Sequence, residues 1–461
     1  MNVDDQDRSP CRADTRGLRR RWLAALVVFA LALAVRIPFM AAPGFPPDQD
    51  QFFIWSMRTA KGGLAAAYDV PVGAKRSNYP PLYLYVLRAL AEIYHRETGH
   101  ALDDRVRVEA FHGLRTPDAR TAAVVYKLPT VVADAVLGGL LVLWLWRRVR
   151  PGWAMAVGGL YSLMPGVIHD SAVWGQIDGI PTLWVVAALE MARRRRIVPM
   201  WCFAALGALT KPQGLVFVPI WLVVTALPHA DRLRHIGRSA VAVGLLVVAV
   251  ALPFHGSLDR VADAYSGAAG YYPYLHLNGF SAWFVANPLD RPHLDRPERF
   301  YVHDDGAACL GLSPRWLGLA AFLCVASWIV VRLWRRRCDE GSLFQAARTL
   351  PLAFFVLSTQ MHERYALPVV AVWAWSFMAS RRWWACWLTL GACSAINAMW
   401  AWAGPGGGPV VTAIRQVLWR PWAGLSPGVW CSAAFVVILA TTLWERANGP
   451  GVSGTHEAPP S

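Results

Sequence analysis

The chain has 461 residues, which is long enough for about three soluble domains of roughly 150 residues each. Its composition excludes such domains, because only 16% of the residues are charged, 55% are hydrophobic and 24 are tryptophan. An ordinary globular chain has about 25% charged residues and far less apolar surface to bury. Disordered, collagen-like and disulfide-scaffold proteins are excluded as well, and the composition is typical of a polytopic membrane protein.

The 45 basic and 30 acidic residues give a net charge of +15. On a soluble protein such an excess favours nucleic-acid binding, whereas on a membrane protein basic residues mark the cytoplasmic ends of the spans. We therefore expect the lipid bilayer as a partner and no nucleic acid, and we use the arginine clusters to orient the chain.

Apolar stretches of about 15–24 residues, the length that crosses roughly 30 Å of hydrocarbon as a helix, recur along the chain. The predicted fold class is an all-α, polytopic transmembrane helical bundle of about twelve spans. The spans are expected at 22–42, 123–146, 153–169, 179–193, 197–211, 213–228, 238–254, 316–333, 345–359, 363–380, 383–402 and 426–444.

The first stretch is interpreted as a retained anchor, because Arg36 interrupts its apolar run and no clean cleavage site follows it. When the twelve spans alternate, the arginine clusters fall on one side, as short cytoplasmic loops require. The sequence therefore predicts a multi-pass protein of the cell (inner) membrane with both termini in the cytoplasm. The clusters lie within 19–21, 147–150, 193–196, 232–238, 332–337 and 381–382.

This orientation also divides the chain into segments. Two long outer loops are expected at 43–122 and 255–315, with helices along the membrane surface. Segment 79–96 is apolar enough for a thirteenth span, but a crossing there would move 147–150 outside, so we predict an interfacial or re-entrant helix. The expected segments are a basic cytoplasmic N-terminus (1–21), a transmembrane module (22–380), C-terminal spans (381–444) and a disordered tail rich in Gly, Pro and Ser (445–461).

The unusual polar residues lie mostly at the outer ends of the spans. Asp48 and Asp50 follow the first span, and a carboxylate next to the low-dielectric membrane surface can stay basic enough to accept a proton. The alternative is an acidic start of a helix, which the helix dipole favours. Tyr79 precedes two prolines that make a rigid start for the next helix, which is a sufficient architectural role.

Two short outer connections carry further candidates. Gln176 and Asp178 lie between two spans, where they either bind sugar hydroxyls or, for Asp178, cap the next span. Lys211 and Gln213 lie between two tightly joined spans. A lysine there is either a snorkelling anchor or the partner of a nearby anion.

His362, Glu363 and Arg364 bring three ionisable groups together between two spans. Charge at membrane depth costs several kcal/mol unless it is paired or hydrated, which favours function over anchoring. Lys127 and Asp134 are seven residues apart on one helix face, and we interpret them as holding two helices in register. No cysteine or histidine spacing indicates a metal, and no glycine-rich loop indicates a nucleotide.

Taken in order, these segments resemble the GT-C superfamily of polytopic glycosyltransferases over most of 22–380. The closest likeness is to bacterial relatives of the mannosyltransferase that adds the second mannose of glycosylphosphatidylinositol anchors. A more distant likeness is to dolichyl-phosphate-glucose-dependent glucosyltransferases. The resemblance is carried by Asp48-x-Asp50-x-Phe52-x-x-Trp55, Tyr79-Pro80-Pro81-Leu82, Lys127-Leu-Pro-Thr130 with Asp134, Trp174-Gly-Gln-Ile-Asp178, Lys211-Pro-Gln213, Asn278-x-x-x-x-Trp283 and His362-Glu363-Arg364-Tyr365.

The resemblance implies a hexosyltransferase of the GT-C fold that works on the outer, periplasmic face. A mannose- or glucose-like hexose would move, with inversion, from a polyprenyl-phosphate donor to a hydroxyl of a glycan or lipid-linked acceptor. By resemblance the base is Asp48, with Asp50 as the alternative. No cofactor and no metal are expected, because the donor is itself a lipid phosphate.

The chemistry of this transfer assigns roles to the other candidates. A site that removes a proton as a phosphate leaves needs a carboxylate on one side and cations on the other. Arg364, with Lys211 and His362, would stabilise the phosphate charge, and Glu363 would orient Arg364. The remaining candidates are contacts to the sugar or the acceptor, namely Tyr79, Gln176, Asp178 and Gln213.

Two alternatives explain the spans equally well. A secondary transporter or lipid flippase places its ionisable residues near the bilayer midplane, whereas these clusters are expected at the outer span ends. An enzyme like an O-antigen ligase or oligosaccharyl transferase, which uses diphosphate donors, would differ by a metal or a larger soluble domain, and no such domain is expected after the last span.

Overall fold

The computed structural model describes residues 15–70, 76–102, 117–227, 231–267, 270, 272–293, 296–306, 311–405 and 408–445. Within these ranges the protein is mostly helical, as the sequence predicts. Most of the predicted N-terminal segment (1–21) and nearly all of the predicted tail (445–461) lie outside the described residues.

Prolines begin several helices of the N-terminal half. Pro46, Pro81 and Pro151 stand at first helical positions, where a missing N–H costs no hydrogen bond. A π-helical turn, His169–Trp174, continues α6 and ends at Gly175. The helices are α1 (Thr15–Met40), α2 (Pro46–Gly62), α3 (Pro81–Thr98), α4 (Pro117–Leu145), α5 (Pro151–Leu163), α6 (Pro165–Ile168), α7 (Gly179–Arg193), α8 (Ile197–Thr210) and α9 (Val218–Ala226).

The C-terminal half adds further helices and one small sheet. Strands β1 (His276–Leu277) and β2 (Met361–His362) pair in parallel. Short 3₁₀ helices occupy Leu64–Ala67, Pro212–Phe217, Leu252–Ser257 and Ala282–Val285. The α-helices are α10 (Arg232–Ala251), α11 (Leu258–Ser266), α12 (Pro297–Phe300), α13 (Pro314–Arg335), α14 (Glu340–Leu357), α15 (Leu367–Trp375), α16 (Arg381–Ala401), α17 (Pro409–Leu418) and α18 (Pro427–Trp444).

Five helical stretches among the described residues are long and apolar enough to cross a membrane. Their outward faces expose apolar side chains such as Leu245, which is 67% exposed, and surface of this kind needs a lipid cover. The protein therefore has the helices expected of a membrane protein, while a bundle of twelve crossing helices stays a prediction. The stretches are Gly17–Met40, Asp118–Leu145, Arg232–Ser266, Pro314–Arg335 and Pro427–Trp444.

Some of the other predicted spans differ from the observed helices. Predicted span 153–169 is interrupted at Met164, because Pro165 has no N–H with which to continue α5. Predicted span 363–380 is helical only from Leu367 to Trp375, since residues 363–366 form a turn between β2 and α15. Segment 79–96 forms α3, and its position at a membrane surface stays a prediction.

Buried polar contacts fix α1 against α4, as we inferred for Lys127 and Asp134. Arg36, which is fully buried in α1, contacts Asp134 at 3.5 Å and donates to the carbonyl of Ser162 at 2.9 Å. The Lys127 ammonium donates to the carbonyls of Phe39 and Ala42, just where α1 ends. These contacts fix the end of α1 against α4, and they thereby fix the position from which the chain continues into α2.

A cluster of aromatic side chains packs α2 against α3 and α4. Phe52 lies edge-to-face against Tyr83, with ring centroids 5.5 Å apart, and Phe53 lies 5.8 Å from Tyr126. Edge-to-face pairs add about 0.5–1.5 kcal/mol each to the burial of the rings. The start of α2, which carries Asp48, is thus held by a rigid neighbouring core.

Candidate functional site

Four chain segments that are far apart in sequence meet at one end of the helices. They are the first turn of α2, the loop between the π-helical turn and α7, the residue after α8, and the turn between β2 and α15. These segments carry Asp48, Gln176, Asp178, Lys211 and Glu363 with Arg364, and hydrogen bonds and ion pairs join them. The sequence predicted a common side for these residues, and the structure brings them into one cluster.

Asp48 accepts two hydrogen bonds from neutral side chains. Trp174 Nε1 and Gln176 Nε2 each donate to Asp48 Oδ2 at 2.7 Å. Asp48 lies in the first turn of α2, where an acidic residue suits the helix dipole, but no side-chain hydrogen bond caps this helix. Its Oδ1 atom has no protein donor within the described ranges, so one carboxylate oxygen stays available to a substrate hydroxyl.

The loop that presents Trp174 and Gln176 is fixed to α2 by its backbone. Phe45 N–H donates to the Trp174 carbonyl at 2.9 Å, and Gln49 Nε2 donates to the Gly175 carbonyl at 2.8 Å. Gly175 has φ +82°, and a Cβ there would lie 2.5 Å from Gln49 Nε2. Only glycine fits both the left-handed backbone and the space, so the contact between α2 and this loop requires it.

Asp178 lies between the two cations of the cluster. Lys211 Nζ donates to Asp178 Oδ1, and Arg364 Nε lies 3.4 Å from Oδ2 of the same carboxylate. Asp178 is the residue before α7 but makes no side-chain cap bond, so the capping alternative is wrong. The lysine is therefore the partner of an anion, which was one of the two interpretations of its position.

Glu363 pairs with Arg364, as the resemblance implied. Arg364 Nη1 donates to Glu363 Oε1 at 2.5 Å, and both side chains are buried. Burial by itself would raise the pKa of Glu363, but the positive charge of Arg364 outweighs it and lowers that pKa to about 2. Glu363 is thus a permanent anion that orients the guanidinium.

Aromatic rings surround the Lys211 ammonium. The ring centroids of Tyr79 and Tyr365 lie 5.7 and 5.8 Å from Lys211 Nζ, within the range of a cation–π contact. The Tyr79 hydroxyl also donates to Gln176 Oε1 at 3.1 Å. Burial, together with the negative charge of Asp48, raises the pKa of Tyr79, so its hydroxyl stays a neutral donor.

His362 lies at the rim of the cluster. Its side chain is 20% exposed, its Nδ1 is 3.8 Å from Glu363 Oε2, and its ring is 5.0 Å from the ring of Tyr365. Strand pairing of β1 with β2 holds the backbone of this segment, and Gly279 N–H donates to the Met361 carbonyl at 3.0 Å.

Two of the sequence candidates take other positions. Asp50 is buried and lies on another face of α2 from Asp48, because residues two apart in a helix are about 200° apart. Gln213 lies in the 3₁₀ helix after Lys211 and makes no hydrogen bond or ion pair to the other candidates among the described residues. Asp50 as the alternative base stays a prediction.

The sequence analysis did not select two residues of the cluster, Trp174 and Tyr365, as candidates for the site. Trp174 holds Asp48 directly and also stacks near Arg364, whose Cζ is 5.6 Å from its ring centroid. Tyr365 covers Lys211. Both belong to motifs that carry the resemblance. Trp174 lies two residues before Gln176 and Tyr365 directly follows Arg364, and this proximity in sequence could have identified them as site residues.

Among the described residues, no group of three or more His, Cys, Asp and Glu side chains is arranged to hold a metal ion. Independence from metals stays a prediction. Comparison of the sequence with protein-family models and with curated proteins found no match. The assignment of function therefore depends on the residues of the cluster and their geometry.

Proposed function

We propose that the protein is an integral-membrane hexosyltransferase of the GT-C kind. It would transfer a mannose- or glucose-like hexose from a polyprenyl-phosphate donor to an acceptor hydroxyl, with inversion, at the outer face of the cell membrane. Asp48 acts as the base, and Arg364 with Lys211 stabilises the phosphate that leaves. The twelve-span arrangement of this superfamily is part of the proposal.

The observation that carries the proposal is the contrast between Asp48 and the other carboxylates of the cluster. Asp178 and Glu363 each contact a cation, whereas Asp48 contacts only the neutral donors Trp174 and Gln176. A carboxylate that belongs to no ion pair can accept a proton from a hydroxyl without giving up a bonded cation. Asp48 is also the partly exposed member, so an acceptor hydroxyl can reach it.

The cations retain donors for an anion. Arg364 donates through Nη1 to Glu363, its Nε lies 3.4 Å from Asp178 Oδ2 without forming a hydrogen bond, and its Nη2 has no partner within the described part of the chain. Lys211 has three N–H donors and directs one of them at Asp178. A lipid phosphate that contacted both groups would be stabilised most when its charge increases as the sugar departs, which is the requirement for catalysis.

Buried charge elsewhere does not favour the transporter alternative. Arg36 and Asp134 are a buried pair inside the helices, but Arg36 donates to Ser171 and to two backbone carbonyls as well. A transporter needs groups that change partners during the cycle. The satisfied contacts of Arg36 instead hold α1 in place.

The test is sugar transfer by the Asp48→Asn variant. Full-length protein in membrane vesicles would be given radiolabelled polyprenyl-phosphate mannose or glucose, and transfer into lipid and glycan fractions would be measured. Asparagine keeps the size of the side chain but cannot accept the proton, so we expect a loss of about 10²–10⁴-fold in rate.

Asp50→Asn is the control, because it removes a carboxylate two residues away that lies on another face of α2. It should retain most of the rate, provided that expression and melting temperature match those of the native protein. Near-native transfer by Asp48→Asn would contradict the assignment of the base, and no transfer by the native protein from either donor would contradict the proposed donor class.

A further inference from the structure

A cavity of about 680 Å³ opens at the opposite end of the helices from the candidate site. It lies between the turn that joins α7 to α8, the end of α9 and the end of α13. The other ends of α7 and α8 adjoin Asp178 and Lys211, so the length of these helices separates the cavity from the site. Its volume is within the range of about 300–1,000 Å³ that is typical of ligand sites.

The lining combines three guanidinium groups with apolar side chains. Arg195, Arg335 and Arg337 contribute the charges. Val224 and Leu227, both buried, contribute apolar lining together with the partly exposed Trp334. Positive charge beside an apolar wall fits a ligand with an anionic head and a hydrocarbon tail.

Among the described residues, no carboxylate compensates the positive charge of the cavity. The nearby acidic side chains are already paired elsewhere: Glu190 with Arg193 and Arg194, and Asp339 with Arg336. No ion pair joins Arg195, Arg335 or Arg337 to a carboxylate within the described ranges. Three like charges at one cavity repel each other, and a bound anion would relieve this repulsion.

The backbone holds these arginines together. Arg195 Nη2 donates to the carbonyls of Arg337 and Cys338, both at 2.7 Å, so the turn after α7 is fixed to the end of α13. The remaining N–H groups of Arg195, and the guanidinium groups of Arg335 and Arg337, have no hydrogen-bond acceptor in the part of the chain that the structure describes. Guanidinium groups bind phosphate through paired hydrogen bonds.

We propose that this cavity binds an anionic phospholipid of the surrounding bilayer. The phosphate of the headgroup contacts Arg195, Arg335 and Arg337, and an acyl chain lies against Val224 and Leu227. Basic pockets between membrane helices are suited to such headgroups. Tryptophan residues such as Trp334 are typical of the membrane–water interface, where headgroups lie. The site is independent of sugar transfer and lies away from the residues proposed for it.

The test uses full-length protein in detergent with a defined lipid. Native mass spectrometry would measure binding of dioleoyl phosphatidylglycerol, with dioleoyl phosphatidylcholine and inorganic phosphate as comparisons. We expect phosphatidylglycerol to bind preferentially and inorganic phosphate to compete poorly, because it cannot use the apolar wall. Equal binding of phosphatidylcholine, or full displacement of the lipid by millimolar phosphate, would overturn the proposal.

The variants locate the site. Arg335→Gln with Arg337→Gln changes two exposed side chains, so the fold should persist, and each lost charge should weaken phosphatidylglycerol binding about fivefold. Arg336→Gln is the matched control, because Arg336 is exposed between them, pairs with Asp339 and does not line the cavity. Equal weakening by the control and the double variant would mean a nonspecific charge effect and would refute the site.

Discussion

Asp48 and Asp178 show how neighbouring side chains determine the role of a carboxylate. Both lie at the candidate site, but Asp178 contacts Lys211 and Arg364, whereas Asp48 accepts bonds from an indole and an amide. Replacing Asp178 would leave the buried Lys211 without its anion and Arg364 with Glu363 alone, which is costly. Replacing Asp48 removes no ion pair, so its loss should affect the reaction more than the fold.

The pairing of Arg364 with Glu363 gives a prediction for stability. Arg364→Ala would leave the buried Glu363 carboxylate without its cation, and such a loss costs about 3–5 kcal/mol. We expect a lower melting temperature of the purified protein at neutral pH. Glu363→Gln in the same chain should restore part of the stability, because the unpaired charge is then removed.

The pH dependence of this effect has a definite sign. In the native protein the pKa of Glu363 is lowered from its usual 4.5 to about 2, so the stabilising contribution is present above pH 4.5 and is lost as pH falls towards 2. In Arg364→Ala, burial should raise this pKa instead, so the variant should lose stability as pH rises. A variant whose melting temperature shows the native pH dependence would contradict this explanation.

The sequence identified residues that the structure brings into contact, but it did not show how their side chains are oriented. Its motifs identified Asp48 and Gln176, which are 128 positions apart and hydrogen-bonded. The arginine pattern predicted only that both lie on one side of the membrane, because sidedness follows from charge while contacts follow from helix packing. Asp48 and Asp50, which the sequence offers as alternative bases, lie on different faces of α2, because residues two apart in a helix are about 200° apart.

At the level of elements, one buried carboxylate joins the long loop 272–306 to the turn before α15. Asp304, which is fully buried, accepts from Thr359 Oγ1 at 2.7 Å and Gln360 Nε2 at 2.8 Å, and from Arg315 at 3.2 Å. Gln360 N–H donates in turn to the Tyr274 carbonyl at 3.1 Å. These bonds fix the segment that presents His362, Glu363 and Arg364.

Asp304→Asn should therefore loosen both segments. Hydrogen bonds to a charged group contribute about 1.5–3 kcal/mol each, and the amide cannot replace all of them. We expect faster hydrogen exchange in 272–306 and 358–366. Asp305→Asn is the control, since that neighbour is exposed, and unchanged exchange in Asp304→Asn would mean that the loop is held by strand pairing alone.

The pattern of helix ends could be predicted only in part, for a physical reason. Hydropathy located the helical segment of α13 well, since its apolar run is bounded by charge on both sides. It missed the interruption at Met164 and the late start of α15 at Leu367, because apolar composition does not distinguish a straight helix from one broken by proline or by a strand pair.

At the scale of the whole molecule, opposite ends of the same helices carry different chemistry. α7 and α8 have 15 and 14 residues, or about 22 and 21 Å, which is less than the roughly 30 Å of a hydrocarbon core. In the proposed arrangement, in which both helices cross the bilayer, helices this short would end below the membrane surface. A site recessed in that way would suit a donor whose phosphate is itself attached to the lipid.

This arrangement predicts opposite exposure of two surface positions. Asp305 lies in the loop near the candidate site, and Arg336 lies at the arginine-rich end of α13; both are exposed. Single cysteines at these positions, in a chain whose native cysteines are replaced by alanine, would be treated with a membrane-impermeant maleimide in right-side-out vesicles. Asp305→Cys should react at once, and Arg336→Cys only after permeabilisation, because the positive ends of the spans stay in the cytoplasm. Labelling of both from one side would contradict the orientation and, with it, an outward-facing site.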